Sequence, residues 1–323
     1  MMDAIRVEGL TKRYNGLLAL DRITFQVKQG SVFGLLGPNG AGKTTTIRIL
    51  TGLTRPSDGT ATVMGYDVTS EAVKAKQMIG VVPETSNVYE EMTALENLVF
   101  AAELYGVPRA ERKTRARELL EAFGLLDRAR SQVADFSRGM RRRITIACAL
   151  IHRPELLFLD EPTTGLDVQS ARQLRDHVSE LRDEGVTVLL TTHYIEEADQ
   201  LCDVVAMINQ GRIAALDSPE NLKAFVTGTR VVEVSFSGHP VEGDLEGIQG
   251  VIEVHRLGER YRLTVSGEAD IVGDLIDYAR NRGLRVVTLN TLKTSLEDAF
   301  IRITGLAPEE VRKEKDQPRQ GRA

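Results

Sequence analysis

Along the first two thirds of the chain, short apolar runs alternate with longer amphipathic ones. "SVFGLLG", "MIGVVPE", "ELLFLDEP" and "VTVLLTTH" are β-rich, and each leads into a turn. Near-continuous apolar runs of this length suit strands of a parallel sheet buried on both faces. "AIRVEGL", "ITFQVKQG" and "GTATVMG" alternate apolar with polar positions, as an antiparallel sheet with one wet face requires. "TALENLVFAAELYG" and "ERKTRARELLEAFGLL" read as helices, the second with a wide solvated face. The pattern changes after "ENLKAFVTGT". "RVVEVSFSG" is a strand, and "GVIEVHRLGERYRLTVSG" a hairpin around Gly258. "ADIVGDLIDYARNRG" is a helix with Ile271, Leu275 and Ile276 on one face and a glycine stop. "LRVVTLNT" is a further strand, and "SLEDAFIRITG" a last helix capped by Ser295. These patterns predict an α/β domain over residues 1–227 and a small α+β domain, ferredoxin-like in outline, over 228–305. The charged stretch 306–323 has too few large apolar residues to order itself and reads as disordered.

Composition narrows the class. At 323 residues, 42% hydrophobic and 27% charged, the chain can bury a sizeable core. A net charge of −5 argues against a general nucleic-acid binder, which needs a basic domain or stripe. Two cysteines, Cys148 and Cys202, sit in apolar settings and suit buried thiols in a reducing compartment. The longest apolar stretches, "ITIACALI" and "DVVAMI", fall far short of a membrane span, and the N-terminus carries no apolar signal region. The expectation is a soluble chain that meets a membrane only through a partner.

The chemistry begins at "GPNGAGKTT", which fits G-x-x-x-x-G-K-[ST] between a strand and a helix. Gly37, Gly40 and Gly42 let the backbone wrap a phosphate, and the amides point at a helix N-terminus that favours an anion. Lys43 supplies a mobile charge for the outer phosphates, and Thr44 a hydroxyl for Mg²⁺. "LLFLDEP" ends an apolar strand in two carboxylates. Asp160 is expected to hold the Mg²⁺ through water, and Glu161 to polarise the attacking water. His193 ends "VTVLLTTH", a strand expected beside the phosphate-loop strand, where it would contact the γ-phosphate. His152, His177, His239 and His255 read as structural.

The ordered set resembles the ATP-binding cassette of ABC transporters. "GPNGAGKTT" looks like Walker A, "LLFLDEP" like Walker B, "TTGLD" like the D-loop and His193 like the switch histidine. The resemblance implies an ABC-type P-loop fold with a mixed sheet core, an antiparallel β subdomain and a helical subdomain. It implies ATP and Mg²⁺ as cofactors. The nucleotide would be held by Gly37, Pro38, Asn39, Gly40, Ala41, Gly42, Lys43, Thr44 and Thr45, with Tyr14 of "YNGLLALD" stacked on adenine. Lys43, Glu161 and His193 would be catalytic. "FSRGM" looks like the signature motif, whose Ser137 and Gly139 would cover the γ-phosphate of a partner subunit in a head-to-tail dimer, with Asp167 nearby. The helix after Ser137 has Ile144, Cys148 and Ile151 on an apolar face, and the three arginines of "RRR" then read as its outer face.

Three positions depart from the family pattern. Glu84 stands after "IGVVP" where these proteins usually carry Gln, so a carboxylate would ligate Mg²⁺ there. Arg138 and Met140 replace Gly and Gln within the signature. The ending "TLKTSLEDAFIRITG" and the run "SRGMRRR" resemble the daunorubicin-resistance-type branch. That branch implies an exporter of drugs, lipids or polysaccharides, driving a separate transmembrane permease from the cytoplasmic face of the membrane. The alternatives are a soluble non-transport ABC ATPase and a nucleotide-dependent regulatory module. One cassette and no sustained heptads weigh against the first, and Glu161 against the second.

Overall fold

The computed structural model describes residues 3–224, 229–238, 240, 242–266, 271–292 and 295–306. The chain divides into two compact units, the first running to Pro219 and the second spanning Glu220–Leu306. The charged stretch expected to be disordered lies, beyond Leu306, outside the described residues, as does His239.

The first unit opens with β1 (Asp3–Tyr14), β2 (Leu17–Lys28) and β3 (Val32–Leu36), whose end leads through the glycine loop into α1 (Lys43–Leu50). β4 (Asp58–Val63), the short β5 (Tyr66–Asp67), α2 (Ala72–Gln77) and β6 (Ile79–Val82) follow. The helical region is α3 (Ala94–Leu104), α4 (Arg109–Ala122) and α5 (Arg138–Leu150). Then come β7 (Leu156–Asp160), α6 (Val168–Asp183), β8 (Thr187–Thr192), α7 (Ile195–Leu201), β9 (Val204–Asn209) and β10 (Arg212–Asp217), and α8 (Pro219–Ala224) starts at the last residue of this unit and continues into the second. Among the described residues no helix is long and apolar enough to cross a membrane.

Two sheets form. One is antiparallel, in the order β2-β1-β4-β5. The other has the order β10-β9-β3-β8-β7-β6 and is parallel except for the β10 edge. Every residue of β3, β7 and β8 is buried, which is why those runs read as continuously apolar. β10, at the edge, alternates exposed and half-buried positions instead. β9 and β10 were not expected as strands, since "DVVAMI" is too short to tell a buried strand from a piece of helix. One core joins both sheets. Ile47, Ile49 and Leu50 of α1 pack there with Phe25 of β2 and Phe33 of β3, whose rings stack at 5.1 Å.

Parallel pairing carries the chemistry-bearing loops to one sheet end. β3 lies between β8 and β9, with Leu36 opposite Thr192, and β7 pairs β8 with Asp160 opposite Thr191. The strand ends before the glycine loop, the carboxylates and His193 are therefore neighbours in order.

The second unit has β11 (Thr229–Phe236), α9 (Glu242–Glu246), β12 (Val251–Leu257), β13 (Arg260–Ser266), α10 (Ile271–Asn281), β14 (Val286–Leu292) and α11 (Leu296–Thr304). Its antiparallel order β12-β13-β11-β14, with a helix after the first and third strands, is the ferredoxin-like arrangement. α9 was missed because five residues are too few to show a period. The face expected for α10 needs correction. Ile271 and Leu275 are buried, but Ile276 is exposed and Ala279 takes the inward place, since 271, 275 and 279 repeat at four-residue spacing. Ser295 caps α11 reciprocally with Asp298, and Gly305 ends it at φ 68°.

Gly80 of β6 lies so close to α5 that a Cβ there would meet the Ala149 carbonyl oxygen and the Leu157 side chain. Gly80→Ala is therefore expected to destabilise the first unit by about 1–3 kcal/mol. Urea unfolding of wild type and variant measures this, and an unchanged midpoint would refute the close packing.

Candidate functional site

The glycine loop takes its shape from its neighbours. Gly40 and Gly42 have φ of 81° and 110°, a region that L side chains rarely enter. Gly37 does not. A Cβ there would strike the Ile208 carbonyl at the end of β9, so close packing by itself requires a glycine at this position. Pro38 O accepts from Ala41 N at 3.2 Å, and Ala41 O accepts from Gly211 N at 3.0 Å, which anchors the loop to the β9–β10 turn. Asn39 and Thr44 are exposed and Thr45 half-buried. Tyr14 closes the β1–β2 hairpin opposite Leu17, its ring exposed beneath the Lys12 ammonium at 4.8 Å from the centroid.

Two small networks meet behind this loop. In the first, Lys43 Nζ donates to Gly37 O at 2.5 Å and Pro38 O at 3.1 Å, and pairs with Glu161 Oε1 at 3.1 Å. His193 Nδ1 lies 2.7 Å from Glu161 Oε2. With Glu161 ionised, that bond requires the proton on Nδ1. Thr164 Oγ1 donates to the same oxygen at 3.3 Å. Burial would raise the Glu161 carboxyl, but the His193 hydrogen bond and the Lys43 charge outweigh it and hold it below the ordinary value of 4.5.

In the second network, Asp160 Oδ1 accepts from Thr191 Oγ1 at 2.6 Å and from Thr44 Oγ1 at 3.4 Å. Burial dominates here and raises the Asp160 carboxyl, against the pull of those two hydroxyls. Thr191 also accepts from Glu161 N at 3.0 Å, so one hydroxyl serves both carboxylate residues. Glu161 sits at φ 47°, unusual for a non-glycine residue and a device that turns successive side chains to the same side. Lys43, Thr44, Asp160, Glu161 and His193 are thus brought together.

Ser137, Gly139 and Asp167 form a separate group. Ser137 caps α5, its Oγ accepting from Met140 N at 3.2 Å. Gly139 is buried against Ser170, and Asp167 caps α6 by accepting from Ser170 N at 2.8 Å. Arg138 reaches Gly165 O at 2.9 Å, tying the two turns together. Glu84 follows β6 and Pro83, with its carbonyl accepting from Arg142 at 3.2 Å.

The reading of the three arginines as an outer face needs correction. Consecutive helical residues are about 100° apart and cannot share a face. Arg141 pairs with Glu90 at 2.6 Å, and Arg143 donates to Phe123 O at 2.9 Å. Arg142 is buried, because α5 is buried on nearly every side. The sequence marks Thr191 only as part of the β-rich run "VTVLLTTH" and Arg142 only as surface charge. The strand register would have flagged the first, and helical spacing of Arg142 with Ile146 and Ala149 the second.

The remaining candidates are structural. His152 stacks on Tyr105 at 3.9 Å with Nε2 on Ile79 O, His177 reaches Glu180 at 3.1 Å, and His255 reaches Glu253 at 3.0 Å. Burial pushes the Cys148 thiol up to about 12 and raises Cys202 as well, so neither is a nucleophile. No group of three or more metal-ligating His, Cys, Asp or Glu side chains exists among the described residues.

The chain is similar to known proteins in both sequence and fold. The sequence pattern of the family described as ABC transporter matches residues 20–164. A daunorubicin/doxorubicin resistance ATP-binding protein of Streptomyces peucetius is 40% identical over 307 residues, 94% of this chain and 92% of the relative. A fluoroquinolones export ATP-binding protein of Mycobacterium tuberculosis is 40% identical over 305 residues, 94% of each. A dimeric structure of a post-hydrolysis state of an ATP-binding cassette, bound to ADP and Pi, is 25% identical with a TM-score of 0.61. That match covers 66% of this chain and 98% of the other.

Two outcomes test the networks. Thr191→Val removes a hydroxyl from a buried carboxylate, and should cost about 1–3 kcal/mol in urea unfolding at pH 7. Glu161 has a depressed folded value, so its stabilisation is complete above the unfolded value of 4.5 and lost as pH falls through the lower folded one. The stability gap between wild type and Glu161→Gln should therefore be widest near pH 7 and shrink in acid. A pH-independent gap would contradict the pairing.

Proposed function

The chain belongs to the ABC transporter family, as an ATP-binding and ATP-hydrolysing subunit of an exporter, and from that premise we propose how its own residues do the work. The observation that carries the proposal is the convergence of Lys43 and His193 on Glu161 beside the Asp160–Thr44 pair. A triphosphate entering the glycine loop competes for the Lys43 ammonium with more negative charge than Glu161 offers. As Lys43 moves to phosphate, Glu161 Oε1 is released and loses one of the charges that hold it low, which makes it a better proton acceptor. His193 keeps the other carboxylate oxygen in place, and Glu161 orients water at the γ-phosphate.

Mg²⁺ fits the second network. Thr44 and Asp160 offer hard oxygen donors, and Mg²⁺ is usually held by one or two carboxylates plus substrate phosphates rather than by an all-protein cage. When bound it neutralises charge on the phosphates. Glu84 would add a further carboxylate to that sphere, and with it negative charge. Tyr14 would stack on adenine.

Ser137 and Gly139 start a helix whose amides suit an anion, and they stand apart from the Lys43 network. Such an N-terminus is worth roughly 0.3–1 kcal/mol per charge, enough to complete a nucleotide site built by a second copy but not to build one. We therefore assign them, with Asp167, to the γ-phosphate of the partner in a head-to-tail, ATP-bound homodimer. ATP then shifts the population toward the closed dimer and hydrolysis shifts it back. The closing motion drives a transmembrane permease, with this subunit held at the cytoplasmic face of the membrane. Drugs, lipids or polysaccharides are the cargo classes we assign, since proteins named for drug resistance, fluoroquinolones export and Nod factor export are all similar to this chain, and nucleic acid is not among the partners we assign.

Glu161→Gln is expected to lower ATP turnover by about 10²–10⁴-fold while ATP binding persists. Light scattering should then show the variant as a dimer at saturating ATP. A monomer for both wild type and variant would sink the dimer reading, and wild-type turnover in the variant would sink the role of Glu161. A tagged chain should recover a polytopic membrane protein from detergent-solubilised membranes. Recovery with ribosomes, DNA or nothing would move the protein to a non-transport ATPase.

A further inference from the structure

The three arginines after the α5 cap differ in kind, and the middle one has a set of partners that nothing above uses. Arg142 is only 4% exposed. Its guanidinium donates to four backbone carbonyls, with every nitrogen engaged. Nε reaches Pro162 O at 3.0 Å, Nη2 reaches Asp160 O at 2.9 Å, and Nη1 reaches Glu84 O at 3.2 Å and also Pro83 O. Burial lowers its pKa to about 10, with the Asp160, Glu197 and Glu161 carboxylates pulling the other way, so it stays charged at neutral pH.

The choice of carbonyls matters. Asp160 O and Pro162 O lie on either side of Glu161, the residue held at φ 47°. A left-handed conformation in a side chain with a Cβ persists only where its surroundings hold it. Thr191 holds Glu161 from the β8 side through the amide, at 3.0 Å. Arg142 holds the chain before and after it from the α5 side. The same fork grips the two residues that follow β6, including Glu84. Because the carboxylates of Asp160 and Glu161 are left out of these bonds, they stay available for Thr44, Thr191, Lys43 and His193. A lysine supplies donors from a single point and cannot span carbonyls of two separate loops as a planar fork does.

We propose that Arg142 is a positioning residue for ATP hydrolysis. It brackets Glu161 and fixes the Glu84 loop, and it fastens both to α5, the helix whose start, at Ser137 and Gly139, faces the partner's nucleotide. The inference rests on the ATPase reading above and adds to it a residue that acts through Glu161 and touches no nucleotide.

The test is a double-mutant cycle on the full chain, with turnover, ATP affinity by equilibrium fluorescence and melting temperature measured together. Arg142→Lys should lower kcat at least about 10-fold, leave ATP affinity within about 2-fold and remain folded. In the Glu161→Gln background, Arg142→Lys should change the residual rate by less than about 2-fold, because a residue acting through Glu161 has nothing left to position. Should Arg142→Lys fail to fold, Arg142→Gln, which keeps part of the donor set, takes its place in the same cycle. Wild-type kcat in the variant would overturn the proposal. So would loss of ATP affinity in step with kcat, or an equal loss of rate in the Glu161→Gln background, since both mark a merely structural residue. A wild type that hydrolyses no ATP would instead sink the functional reading on which the proposal stands.

Discussion

Charge compensation without water is the constraint on which the first unit turns. Lys43, Arg142, Asp160, Glu161 and Glu197 are all nearly inaccessible to solvent. An ion taken out of water costs several kcal/mol unless partners replace its hydration. Each of the cations has an answer in the structure, Lys43 in two carbonyls and Glu161, and Arg142 in four carbonyls. Glu197 answers differently. Burial pushes it up to about 7, so near neutrality it is spared much of its charge. The site thus holds a fixed pair of cations and carboxylates that differ in their readiness to ionise, Glu161 below the ordinary range and Asp160 and Glu197 above it. That separation leaves neighbouring acids that differ in proton affinity, Asp160 and Glu197 holding a proton more readily than Glu161.

The sheet makes such a cluster possible. Parallel strands bring loops to the same edge, and the order β9-β3-β8-β7 sets the glycine loop, His193 and the two acids side by side. Because those strands are buried on both faces, their ends emerge into a partly desolvated edge where hydrogen bonds and ion pairs are stronger than at an open surface. The price is strain at one residue, Glu161, and the structure spends Thr191 and Arg142 on holding it. The glycine loop is constrained from behind as well. Gly37 is packed against β9 and Gly42 against β2, so its conformation depends on both sheets.

The second unit is built on a different economy. Its buried set, Val232, Val234, Tyr261, Leu263, Val265, Ile271, Leu275 and Ala279, comes from one face of the sheet and one stripe of α10. The opposite face keeps polar pairs such as Glu233 with Arg262 at 3.0 Å and Ser235 with Thr288 at 2.6 Å. Alternation of that kind is what made its strands readable, while the buried, non-alternating β9 was the harder element to recognise.

Local order of residues determined a great deal by itself. The apolar runs marked β3, β6, β7 and β8, the alternating runs marked β1, β2 and β4, and the residues at the run ends marked Lys43, Thr44, Asp160, Glu161 and His193. These are legible because strand period, glycine spacing and the chemistry at a strand end all lie within a few consecutive positions. What only the tertiary structure decided is the support beneath them. That Thr191 serves two acids follows from the β7–β8 register, that Gly37 is a packing glycine follows from β9, and that Arg142 is a buried clamp follows from α5 meeting two loops at once. The partners of Arg142 lie up to 59 positions away in the chain. A donor's partners, and hence whether a charge is solvated or buried, are fixed by contacts between distant segments, and no local pattern encodes them.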